Sequence, residues 1–368
     1  RGETGGGLRG EALKNHREHL LFQTFPLSAA KEMPGIGLVP VPYHSYDGTI
    51  LTLHGVCDYG SAEDLVRGDH VVPVPLSSGA AASQAKWPRT EKSSYEGCRA
   101  AMVIEIFNVC DSSLGPHTEV QLLLYVCSDR TAVPVSGCSW QSLVALDAMA
   151  GSKVRRLCVA SWQSTQLAAS YSASELGLDV RIASARVHEV GGRTEFAFAD
   201  RSGGGEMLLS GRISRPALSW SIVGVFKWWK LLQAVLGEKT KVVVSNLWTC
   251  KNVMCQQQDQ QELEAGEASR DARGAGQAKG GDQALRPNAE GLVFEVQEGT
   301  RQHLYSDSDV LIWGSEYQDL GFKCLYVDQA SHSRRVKLGL HNAGHRVLSE
   351  GDMLRATGWE DVPGRAVR

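Results

Sequence analysis

The chain has 368 residues, 42% apolar and 21% charged, the proportions of a globular protein with room for one large domain or two small ones. A formal net charge of −3, with no basic run interleaved with aromatics, excludes the electrostatic footprint of a nucleic-acid binder. No run approaches the ~18 apolar residues of a membrane span, since the nearest, Ala217–Leu236, is broken by Lys227 and Lys230.

The nine cysteines are odd in number and form no zinc-type CxxC pairs. Free thiols in a soluble protein of a reducing compartment, cytoplasmic or plastid, are the expectation, and neither a metal nor a cofactor is expected. The chain begins at Arg1, which leaves a preceding targeting segment open.

In chain order, residues 1–38 start glycine-rich and carry a helical pattern around Ala12–Phe22. Pro34, Gly35 and Gly37 then signal a loop, so a loosely packed lead-in is expected. Thr49–Val56 has the β-branched content of a strand. Ser61, with Asp64 three residues on, starts a short helix closed by Gly68. The VVPVPL segment at 71–76 is too proline-rich for a central strand, and 77–97 reads as an insertion loop.

Met102–Val109 is apolar on both alternating faces except at Glu105 and Asn108, and Glu119–Val126 except at Glu119 and Gln121. A carboxylate inside such a strand is costly unless paired or used. Glu105 and Glu119 are therefore the candidate site. They share a face only if the strand pairing encloses an odd number of residues, and the sequence leaves that register open.

A helix is expected from about Trp140 to Ala150, followed by strands at Arg155–Ala160 and, after the Glu175-Leu176-Gly177-Leu178 turn, at Val180–Val190. Glu195–Ala199 and Met207–Ile213 read as strands around the Gly203–Gly205 turn. Ser221–Leu236 reads as a Trp-rich helix, with Trp228 and Trp229 as packing residues, and Lys241–Asn246 as a closing strand. Gln256–Glu290 has only Leu263 and Leu285 as large apolar residues and is expected to be disordered. Leu292–Val296, Val310–Trp313 and Lys323–Val327 are short apolar strand candidates.

The resulting division is a lead-in (1–38), a mainly antiparallel, barrel-like α+β domain (39–254), a linker (255–290), and a small β-rich module or partly disordered tail (291–368). No GxGxxG follows a strand, and neither a P-loop nor a GxSxG elbow occurs.

The strand–helix–VVPVPL order, the Ile104-Glu105-Ile106 strand, the Asp111–Pro116 loop, Glu119, the ELGL turn and the KVVVSN strand together resemble the acetoacetate decarboxylase family. The ELGL turn without lysine is also similar, more weakly, to the plant and algal branch of that superfamily needed for neoxanthin accumulation. The resemblance implies a cone-shaped antiparallel β-barrel with a ligand cavity lined by two glutamates, onto which Glu105 and Glu119 fall. It also implies a lysine that forms a Schiff base with a β-keto acid beside a second lysine. Those two positions fall here on Val180 and Arg181, and the proline before them on Asp179. The family's arginine ahead of the first strand has no counterpart, Asp47 and Gly48 lying there.

A guanidinium stays protonated and is no nucleophile, so Arg181 does not replace the lysine. Lys153, Lys227 and Lys230 are the other lysines in the domain body to be considered for that role. His54, His117 and His188 are read as satisfied strand or loop histidines rather than general bases.

The expected function is binding of a small or elongated apolar-acidic ligand, such as a carboxylic acid, without Schiff-base chemistry. Glu105 and Glu119 would orient the ligand, or act as acid–base groups, with Arg181 as its counter-charge. The alternatives are a β-keto-acid decarboxylase or lyase with an out-of-register lysine, and a non-catalytic scaffold. Homo-oligomer formation stays open.

Overall fold

A computed structural model describes residues 19–27, 29–33, 35–67, 71–77, 98–128, 135–149, 154–190, 193–201, 204–214, 241–249, 292–305 and 307–340. The expected insertion loop, Trp-rich helix and disordered linker lie outside the described residues, as do Lys153, Lys227 and Lys230.

The elements begin with helix α1 (Leu20–Thr24) and the hairpin β1 (Ala29–Met33) and β2 (Gly37–Val41). The long strand β3 (Tyr43–Asp58), helix α2 (Tyr59–Leu65) and the short strands β4 (Val71–Pro73) and β5 (Pro75–Ser77) follow. Next come β6 (Arg99–Ser112), β7 (His117–Ser128), β8 (Val135–Ser136), α3 (Trp140–Met149), β9 (Val154–Gln163) and α4 (Gln166–Leu176). The chain continues through β10 (Val180–Val190), β11 (Arg193–Asp200), β12 (Met207–Ser214), β13 (Lys241–Thr249) and β14 (Leu292–Tyr305). It ends in β15 (Asp307–Ile312), a 3-10 turn (Gln318–Leu320) and β16 (Lys323–Leu340).

The pairings return on themselves. From β3 they run to β6, β7, β9, β13, β14 and β16, and from β16 back to β3. All are antiparallel except β9 with β13. This ring is the barrel expected from the sequence, in a mainly antiparallel β fold with few helices. At its C-terminal half β9 also pairs in parallel with β10. From there β10, β11, β12 and β15 form a second, antiparallel sheet.

The strand alternation divides the interior in two. Ile104, Ile106, Val120, Leu122 and Leu124 face outward from the ring and pack with Phe196, Phe198, Leu209 and Ile213 of the second sheet. Val103, Leu123 and Tyr125 face inward, in one cluster with Tyr43, Tyr171, Leu176 and Val293. Helix α4 starts at the Thr165 side chain, which accepts a bond from the Ala168 amide, and ends at Gly177 in the left-handed region (φ 64°). Its end lies directly on β16: a Cβ at Gly339 would fall 1.9 Å from the Glu175 carbonyl, so only glycine fits there.

Several expectations change. The helix after β3 is capped by Asp58, which accepts from the Ser61 amide at 2.9 Å, rather than by Ser61; the capping carboxylate lies three residues nearer the strand end. The described part of the lead-in, from residue 19 on, is neither loose nor all loop. Leu21, Phe22 and Met33 are buried, and Gly35 and Gly37, both at positive φ, turn the β1–β2 hairpin.

Among the described residues, 292–340 form no separate module. Strands β14 and β16 sit inside the ring, between β13 and β3. The sequence candidates Leu292–Val296 and Lys323–Val327 are the first few residues of strands 14 and 18 residues long. Their remainders carry too many charges to read as buried strands.

Candidate functional site: an ionic cluster in the barrel lumen

Strand β6 pairs with β7 so that Glu105 lies opposite Gln121 and Phe107 opposite Glu119. The innermost pair, Val109 with His117, encloses residues 110–116, an odd number, so both glutamates share one face. That face is the lumen. Glu119 meets Arg335 and Lys337 of β16, a strand separated from β7 by β6 and β3 on one side of the ring and by β9, β13 and β14 on the other. Such contacts close only across the inside.

Lys337 Nζ lies 2.6 Å from Glu119 Oε1, and Arg335 Nη2 lies 2.7 Å from Glu119 Oε2. Glu295 of β14 joins from the other side, 2.9 Å from Arg335 Nη1 and 3.9 Å from Lys337 Nζ. All four side chains are 1% exposed. Gln121 donates its amide to Glu119 Oε1. The Arg335 guanidinium stacks over the Phe107 ring at 3.8 Å from its centroid. Glu105 is held separately by Arg156 of β9, at 2.8 Å.

The two predicted glutamates titrate in opposite directions. Burial pushes the Glu105 carboxyl up to about 7, with Arg156 opposing and Glu295 adding to the rise. Burial would raise Glu119 as well, but Lys337 and Arg335 outweigh it and hold its carboxyl well below the usual carboxylate range. Arg335, pulled down by burial, is raised overall by Glu119 and Glu295.

A polar pair borders the cluster. His117 Nδ1 is 2.8 Å from the Gly115 carbonyl, which can only accept, so Nδ1 carries the proton. Its Nε2 then accepts from the Tyr43 hydroxyl at 3.1 Å. Burial lowers the His117 pKa and raises that of Tyr43 to about 12, so both groups are neutral near pH 7.

Arg181 does not reach this site. Its register partner on β9 is Trp162, which pairs with Val120, whereas Glu119 pairs with Gln163. One residue's step therefore puts Arg181 on the outer side of the wall, where it is exposed and ion-paired to Glu316 at 2.9 Å. His188 is exposed on the second sheet, and His54 is buried and stacked on Tyr326.

At the level of the glutamates the side chains of Glu119, Glu295, Arg335 and Lys337, each 1% exposed, meet one another inside the ring. An open trough of about 490 Å³ lies elsewhere, on the second sheet, between Arg186, Arg212 and Leu311, and shares no residue with the cluster. Among the described residues no group of His, Cys, Asp and Glu is arranged to hold a metal ion, and no helix is long and apolar enough to cross a membrane.

Solved structures resemble this architecture. The chain is similar in fold to acetoacetate decarboxylases. The acetoacetate decarboxylase of Legionella pneumophila subsp. pneumophila superposes with a TM-score of 0.41 at 9% identity, over 88% of this chain and 94% of that one. The enduracididine biosynthesis enzyme MppR, complexed with pyruvate, gives 0.39 at 11% identity over 84% and 91%. A further acetoacetate decarboxylase structure gives 0.39 at 8% identity over 81% and 87%. No family profile and no curated protein matches the sequence.

Four cluster members were missed from the sequence: Arg156, Glu295, Arg335 and Lys337. Their signal was present in Arg335-Val336-Lys337, which alternates charged with apolar. That pattern describes a solvent-facing strand equally well, and only closure of the ring turns its charged side inward.

Proposed function

We propose that the lumen binds a small carboxylate-bearing molecule, such as a keto acid, at the Glu119–Arg335–Lys337–Glu295 centre, with Glu105 as the titrating group and without Schiff-base chemistry. One observation carries this reading: three carboxylates and three cations from five strands are gathered inside a closed barrel, four of them 1% exposed. Apolar residues of similar volume would be as stable there or more so, which makes such a cluster a candidate for function. With Glu105 protonated, Arg156, Arg335 and Lys337 against Glu119 and Glu295 leave a formal charge of +1, suited to an anion. A ligand carboxylate would take up part of the hydrogen bonding that Arg335 and Lys337 now give to Glu119. The Lys337 side chain is engaged by that carboxylate at 2.6 Å, which opposes its use as a nucleophile.

A second reading, a β-keto-acid decarboxylase, is favoured by the position of Lys337: it is an out-of-register amine in the lumen, beside Arg335. Incubation with acetoacetate and borohydride, followed by mass spectrometry, separates the two. The first reading expects no adduct and no carbon dioxide. A reduced adduct on Lys337 would replace it with the second.

A further inference from the structure

We propose that the outward face of β10, β11, β12 and β15 is a self-complementary surface on which a second copy of this chain docks. Burial alternates along β11 from Arg193 to Phe198, and its register partners on β12 continue the two faces. Thr194, Phe196, Phe198, Leu209 and Ile213 are buried, the last four against the barrel wall, while Arg193, Glu195 and Arg212 point the other way and are exposed.

Register places His188, Glu195, Arg212 and Asp309 in one row across the four strands. All four are exposed. Glu195 and Arg212 are neighbours in one chain, yet neither has an ion pair or side-chain hydrogen bond among the described residues. The row reads basic, acidic, basic, acidic.

When a sheet face meets itself about a two-fold axis parallel to its strands, the order of strands is reversed. Glu195 then lies opposite Arg212 of the second copy, and His188 opposite Asp309, each twice. An axis across the strands would instead set each residue against itself, like charge on like. The charge order therefore selects one axis.

The adjoining row, Arg186, Ala197, Ser210 and Leu311, fits the same operation. Its two small central residues form the floor of the 490 Å³ trough, and reversal brings Ala197 over Ser210 of the second copy and Leu311 over the Arg186 stem. Leu311 and Val190, 50% and 66% exposed, supply apolar surface beside the charges.

Four strands about 4.8 Å apart and eight residues rising about 3.4 Å each give roughly 500 Å² of flat face per copy. A standard stable interface buries about 800 Å² per partner, so the dimer should be weak and dependent on concentration.

Sedimentation velocity over a concentration series tests this with Glu195→Arg and Arg212→Glu, exposed positions at which the fold is retained and can be checked by circular dichroism. Wild type should shift from monomer to dimer. Each variant alone sets like charges together and should raise the dissociation constant by about tenfold or more. An equimolar mixture of the two variants restores both pairings and should dimerise as wild type does. A wild type monomeric throughout, single variants that dimerise normally, or a mixture that stays monomeric would each overturn the proposal. A face used for some other partner would give the first of these.

Discussion

The two faces of β6 and β7 are one residue's step apart and opposite in chemistry. Ile104, Ile106, Val120, Leu122 and Leu124 face outward and are sealed against the second sheet. Glu105, Glu119 and Gln121 face the lumen and are equally buried, at 4%, 1% and 0% exposure. The outer face contributes stability by burying apolar area at ~25 cal/mol per Å². The inner face recovers the desolvation cost of its charges only through accurate pairing. Burial is thus the same on both faces while its purpose differs: the outer face holds the barrel, and the inner face holds the arrangement on which the proposed binding depends.

The largest effect should come from unbalancing the lumen. Glu119→Leu leaves Arg335 and Lys337 with Glu295 alone and should destabilise by about 3–5 kcal/mol in denaturant unfolding. Replacing Arg335 and Lys337 by methionine and Glu295 by leucine in the same chain, which removes the buried carboxylate together with its two cations, should restore most of that loss. If this quadruple variant is no more stable than the single one, the pairing account of the inner face is wrong.

Leu122→Ala, on the outer face of the same strand, should cost about 2–4 kcal/mol through its cavity, and no second substitution in the lumen should rescue it. Additivity of Leu122→Ala with Glu119→Leu would confirm that the two faces act separately.

Next in size is a pH effect from Glu105. Its folded value is raised from the ordinary 4.5 to about 7, so the folded state holds this proton more tightly than the unfolded chain. The associated stability is present at low pH and is lost as pH rises from about 4.5 to about 7. Glu119 runs the other way: its depressed value contributes stability above the ordinary carboxylate range, which is lost on acidification below it. Glu105→Gln should therefore flatten the decline towards neutrality while leaving the acid limb in place. Unfolding curves at several pH values read this directly, and an unchanged neutral limb would contradict the assignment.

The smallest effect belongs to Arg181. Its ion pair with Glu316 joins side chains 42% and 53% exposed, so Arg181→Ala should cost less than about 1 kcal/mol and leave ligand binding unchanged.

How far the sequence went follows the same division. The β6–β7 hairpin, the strand at Val180–Val190 and the two glutamates were legible, because an acidic residue within an apolar run contrasts with its neighbours. The other half of the cluster was not. Arg335 and Lys337 alternate with Val336 and Leu338, a pattern shared by a surface strand, and they lie more than 200 residues from Glu119 in sequence. What makes them interior is the β14–β16–β3 pairing, a long-range fact that no local pattern encodes. The error over Arg181 has the same origin. It was assigned by position along the chain, and a single step in strand alternation put it outside.

Calorimetric titration of acetoacetate and of pyruvate into the protein at pH 6 and pH 8 tests the central claim most directly, with Lys337→Met as the control. The account expects saturable binding at pH 6, weaker binding at pH 8 as Glu105 ionises and the lumen loses its excess positive charge, and none with Lys337→Met. Absence of saturable binding by the wild type at both pH values, or binding that Lys337→Met leaves intact, would contradict it.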